Sequence, residues 1–285
     1  VGGQPKPSTG KDEGGGTIGG PIVRNKLFFF LTLERAVLNR PQAANFSTRP
    51  ELSYSNATDE SAWNTMWRID HQVNPSNTWA FRWLREIAPQ FNVLAGNNAV
   101  GAQGDETDLD ETLVGTWTTV VSNTKVNTVR VGATIEQTVH GNAAWRALDP
   151  ANAFCVPCPD NAGDSQITLP PRLQFLGVSQ NATTMDYSLD NAYSVEDTFS
   201  WFVPNKMGRH DFKFGAKYTY IWIGNPNWEN LNGTYIFGHD LAFNAANPRS
   251  YPERLTVRVP GPLNYEMISR TYEGYAQDKW QIKPN

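Results

Sequence analysis

Along much of the chain apolar and polar residues alternate with a period of two, the signature of a strand whose two faces meet different surroundings. The clearest case is 210–223. There Phe212, Phe214, Ala216, Tyr218, Tyr220 and Trp222 share one side, and Asp211, Lys213, Gly215, Lys217 and Thr219 share the other. Trp79, Phe81 and Trp83 repeat the pattern, as do Val129, Val131, Ala133 and Ile135, and Phe199, Trp201 and Val203. Around Leu27 it blurs, because Phe28 and Phe30 occupy the second side. The pattern predicts nine strands, at about 15–22, 26–36, 62–72, 77–87, 111–121, 125–138, 193–203, 209–223 and 265–282.

The predicted connections alternate in length. Residues 23–26, 74–77, 122–125 and 204–208 are short and rich in turn formers. The links at about 37–61, 88–109, 139–192 and 224–264 are long. Short turns on one side and long loops on the other are the rule for outer-membrane barrels. Charged residues on the second face fit a watery interior better than a dry core: Arg68, Asp70, Arg82, Arg130, Glu136, Lys213 and Lys217 are candidates to face such a lumen. The expected fold is all-β: an antiparallel transmembrane β-barrel, present in part as about nine strands of a larger barrel. Nine is odd, whereas bacterial single-chain barrels close with an even number.

Composition agrees. Aromatic residues make up 12% and hydrophobic residues only 39%, and the ten tryptophans are spread along the chain. Trp63, Trp201, Trp222 and Trp280 fall near predicted strand ends, where interfacial girdles belong. No run of about 18 apolar residues exists to make a transmembrane helix. The net charge of −4 is unremarkable, and the lack of a basic run argues against a nucleic-acid partner.

Other chemistry is sparse. Asp105, Glu106, Asp108, Asp110 and Glu111 form the densest charge cluster, read as a solvated loop rather than a cation site. Cys155 and Cys158 lie among prolines in the longest predicted loop, with no further ligands at zinc spacing, so a loop disulfide is expected. His71 and His210 flank predicted turns, and His140 and His239 fall in loops; none carries a catalytic signature. No catalytic residue, metal site or cofactor is assigned, and the chain is not expected to be an enzyme. Gly14 to Gly20 is too glycine-rich for a stable isolated strand, and no Lys-Ser/Thr follows to make a phosphate loop.

Four stretches taken in order resemble one family. Gly14-Gly15-Gly16-Thr17-Ile18-Gly19-Gly20-Pro21-Ile22, a short basic turn and Phe28-Phe29-Phe30 resemble the first barrel hairpin of Oar-like TonB-dependent receptors. Arg68-Ile69-Asp70-His71-Gln72 resembles the second hairpin, and Gly208-Arg209-His210-Asp211-Phe212-Lys213-Phe214-Gly215 a later one. Tyr275-Ala276-Gln277-Asp278-Lys279-Trp280 is similar to a further strand of that family. The resemblance implies residues 1–14 as a linker from a plug domain lying outside this chain, and residues 15–285 as the N-terminal part of a barrel of about 22 strands. It also implies uptake of a large nutrient (a glycan, peptide or metal chelate) across a Gram-negative outer membrane. The partners would be outer-membrane lipid, the TonB complex acting through the plug, and an extracellular substrate. A passive porin, a structural surface barrel and a soluble carbohydrate-binding β-protein are the alternatives.

Overall fold

A computed structural model describes residues 9–93, 97–102, 104–148, 169–182, 186–226, 230–258 and 264–282. Its main body is a nine-stranded antiparallel meander. The strands are β1 (Gly10–Val23), β2 (Leu27–Ala44), β3 (Tyr54–Asn74), β4 (Asn77–Val93), β5 (Gly104–Ser122), β6 (Lys125–Asn142), β9 (Asp186–Val203), β10 (Arg209–Pro226) and β13 (Asn264–Gln281), hydrogen-bonded in that order. A second, four-stranded sheet forms between the long connections. It is built from β7 (Arg172–Phe175), β8 (Val178–Gln180), β11 (Thr234–Ile236) and β12 (Arg254–Thr256), ordered β12-β11-β7-β8, with β11 parallel to β7. One short helix, α1 (Ala143–Leu148), follows β6 and is capped by the Asn142 side chain, which accepts from Trp145 N at 2.8 Å.

All nine expected strands are present and run 14 to 21 residues; eight extend past the predicted boundaries, mostly on the loop side, while β13 matches its predicted span to within one residue at each end. Ladder pairing continues to Ala44↔Tyr54 between β2 and β3 and to Gly104↔Asn142 between β5 and β6. The links expected at 37–61 and 88–109 are therefore mostly strand. The acidic stretch from Asp105 to Glu111 lies within β5, not in a loop. The reason is physical: beyond the apolar band both faces of a strand are polar, so alternation fades while backbone pairing goes on. β1 begins at Gly10, inside the stretch expected to be linker, and pairs with Asn39 there. Tyr235 sits in the small sheet, opposite Leu255 of β12. Cys155 and Cys158 lie outside the described residues.

The tight turns follow local chemistry. Asn25 takes a left-handed φ of 60° while Lys26 N closes onto Val23 O at 3.0 Å. The Asn74 side chain accepts from Ser76 N at 2.9 Å, an Asx turn. At the β9–β10 turn Gly208 has φ +119°, and a Cβ there would meet Gln281 O at 2.5 Å, so this position needs glycine. Gly215 lets the Tyr275 ring of the neighbouring strand lie across it.

Candidate functional site

Cross-strand register sorts the residues of the nine-stranded sheet onto two faces. Trp63 and Trp67 of β3, Trp79 and Trp83 of β4, Trp117 of β5, Trp201 of β9, Trp222 of β10 and Trp280 of β13 all fall on one face, so every tryptophan of this sheet shares a side. Five of the eight, Trp63, Trp67, Trp117, Trp201 and Trp280, are exposed, and Trp79, Trp83 and Trp222 are half-buried. Near the tight turns they form an aromatic rim. Trp201 lies 5.8 Å from Phe212, and His210 stacks between Phe212 and Trp280 at 5.3 Å from each. His210 Nδ1 pairs with the Asp278 carboxylate at 2.7 Å and its Nε2 with Lys206 O at 2.9 Å, which fixes the ring in the rim.

The opposite face is polar. Arg68, Asp70, Arg82, Arg130, Glu136, Lys213 and Lys217 all fall on it. Arg68 holds Asp70 through two bonds of 2.8 and 2.9 Å, and stands opposite Arg82 across the β3–β4 ladder. Arg130 is opposite Glu196, which is opposite Lys217, which is opposite Glu273. Signs alternate along that rung, which favours it electrostatically. The structure therefore spreads the seven residues over a wall; of them Arg82, Arg130 and Lys217 line one shallow cavity together with Glu196.

Nearer the loops lies a rung that the sequence did not reveal. Glu34, Asn64, Glu86, Asp110, Glu136 and Asp190 stand opposite one another on six successive strands. Five of the six positions are carboxylates on the polar face. Like charges directly opposite are destabilising, so such a rung belongs in water or against a cationic surface. Its members are scattered from position 34 to position 190. Only register brings them together, and no local motif announces it.

At the far end of β5 one acid is differently placed. Asp105 is 6% exposed; it accepts from Asn92 N at 2.9 Å and pairs with Arg146 of α1 at 2.8 Å. The Arg146 guanidinium also lies over the Phe91 ring, 4.4 Å from its centroid. This is a structural clamp that holds α1 to the β4–β6 end of the wall. Among the described residues no group of three or more His, Cys, Asp or Glu has the geometry to hold a metal ion.

The family model for an outer membrane beta barrel domain matches residues 2–58 and 36–285. The chain belongs to that family. This outer-membrane barrel crosses with strands; among the described residues no helix is long and apolar enough to do so. No curated protein matches it. Among solved structures the barrel is similar to the outer membrane transporter YddB from Escherichia coli, with a TM-score of 0.68 and 11% identity. The likeness covers 95% of this chain and 32% of YddB, so the chain spans about a third of that transporter's length. Family and fold place it in the outer membrane and set aside the soluble carbohydrate-binding alternative.

Proposed function

We propose that this chain is the first part of the barrel of a TonB-dependent outer-membrane transporter that takes up a large nutrient such as a glycan, a peptide or a metal chelate. The observation that carries the reading is the sheet itself. Nine sequential strands of 14 to 21 residues, one face aromatic and the other charged, superpose on a third of an outer-membrane transporter. The order of the four family-like motifs supports it further. On this reading the tryptophan face meets lipid, and Arg68, Asp70, Arg82, Arg130, Glu136, Lys213 and Lys217 line the lumen. The tight turns face the periplasm and the long connections face outward, where substrate is met. Coupling to the TonB complex goes through a plug domain supplied elsewhere in the protein. The role is binding and translocation rather than catalysis.

The test is uptake by cells carrying the full-length gene. Radiolabelled siderophore, oligosaccharide and peptide pools are supplied in turn, with and without TonB. Accumulation of one pool that drops to background without TonB is the expected result. Accumulation that persists without TonB would make the protein a passive porin.

A further inference from the structure

The long connections of an outer-membrane barrel have no need to touch one another, yet here four of them do. Residues 45–53, 97–102, 169–182 and 230–258 meet through a small apolar cluster and a set of bonds that cross from each to the next. Ala44, Phe46, Ala99 and Val178 form the cluster, with Leu52, Tyr54 and Phe175 packed against it. Val178 is 1% exposed, the most deeply buried hydrophobic residue described in the chain.

The cross-links are specific. Thr48 Oγ1 donates to Leu176 O at 3.0 Å, and the Tyr54 hydroxyl to Asn98 O at 3.2 Å. Ala99 N donates to Ser179 O and Ser179 N to Asn97 O, both at 2.8 Å. Arg172 bonds Asn98 Oδ1 through its guanidinium at 2.9 Å and Gly233 O through its backbone N at 2.9 Å. Phe237 N donates to Gln174 O at 2.8 Å while the Phe237 and Phe175 rings stack at 4.8 Å. The Arg49 guanidinium lies 5.4 Å from the Phe175 ring centroid and reaches Asp240 O at 3.5 Å.

The side of the wall on which this body sits follows from register. Pairing between β2 and β3 is unbroken from Leu27↔His71 to Ala44↔Tyr54. Ala44 and Tyr54 are therefore on the same face as Glu34 and Arg68, the polar one. The small sheet packs against these two residues, so it leans over the polar side of the wall rather than outward over the apolar side.

We propose that the four connections form a single lid over the loop-side mouth of the barrel interior, and that it opens as one body rather than as four independent loops. Opening then has a common free energy, because three of the connections bury one cluster between them and 230–258 is fastened to it through Phe237 stacked on Phe175. The inference rests on the barrel fold alone and does not depend on coupling to TonB.

Hydrogen exchange on the full-length protein in detergent tests the unity of the lid. The amides of Ala99, Arg172, Ser179 and Phe237 are expected to open at one common rate. Val178→Ala is expected to raise exchange roughly tenfold across all four segments and to leave the amides of Val129 and Val131 unchanged. Tyr54→Phe removes only the bond to Asn98 O and should give a smaller response in the same four segments. If it and Val178→Ala each disturb only their own segment, the lid is not one body. Its position is tested on intact cells with Cys155 and Cys158 replaced by serine. Thr112→Cys, on the polar face, is labelled with a membrane-impermeant maleimide. Labelling that speeds up with Val178→Ala is expected; equal rates with and without it would mean that the mouth is not covered.

Discussion

The turn-side and loop-side halves of the same strands obey different rules. In β6, Val129 and Val131 on one face alternate with Arg130 on the other, and Val131 is 51% exposed because that face is made for lipid. Further along the same strand the polar face carries Glu136 and His140, and on the other face Val139 is buried rather than exposed. The ladder is continuous through both halves. Backbone pairing therefore sets how long a strand is, and solvent sets how its side chains are patterned. A reading based on side-chain pattern finds only the half that lipid imposes.

The sharpest way to break this contrast is to put a charge on the apolar face at two heights. In lipid vesicles, Val131→Arg is expected to cost the full-length barrel about 2–4 kcal/mol in urea unfolding. The same change at Ser61, on that face but farther toward the loops, should cost roughly 0–1 kcal/mol. Equal costs at the two sites would mean that the apolar band does not end where the alternation ends. The loop-side half should instead be sensitive where protein buries a charge. Arg146→Ala leaves Asp105 buried with one partner fewer and is expected to cost about 1–3 kcal/mol, seen as a lower urea midpoint. No change in midpoint would show that α1 adds nothing to the wall. The smallest effect has the opposite sign. Glu136→Gln relieves repulsion from Asp110 and Asp190 across the ladders and should stabilise the barrel by about 0.2–1 kcal/mol at low salt. That gain should shrink at high salt as screening takes over. Destabilisation by this change would point to a cationic surface resting on the rung.

The nine barrel strands, their order and the two faces of the wall were legible in the sequence because lipid and water impose period two directly on the residues. The seven charged positions followed from the same signal, one strand at a time. The loop-side extensions were not legible, since a strand polar on both faces reads as loop. The acidic rung was hidden for another reason: Glu34, Glu86, Asp110, Glu136 and Asp190 become neighbours only when five ladders set the register. The small sheet has elements of three or four residues, too short for any periodicity to show. Asp105 looked like one of five solvated acids, and only the helix that follows β6 makes it a buried partner.

The sequential order of the large sheet has a consequence for how the chain assembles. Each strand hydrogen-bonds the next member in chain order, so the wall can form by zipping one hairpin onto the last. The connections it must bridge are unequal: 45–53 between β2 and β3, but 143–185 between β6 and β9. Loop-closure entropy rises only with the logarithm of length, so the longer bridge costs on the order of 1 kcal/mol more than the shorter one. A meander of this kind tolerates large insertions at its loop end without losing its assembly order. Evolution can remodel what those insertions contact while the route by which the wall is built stays the same.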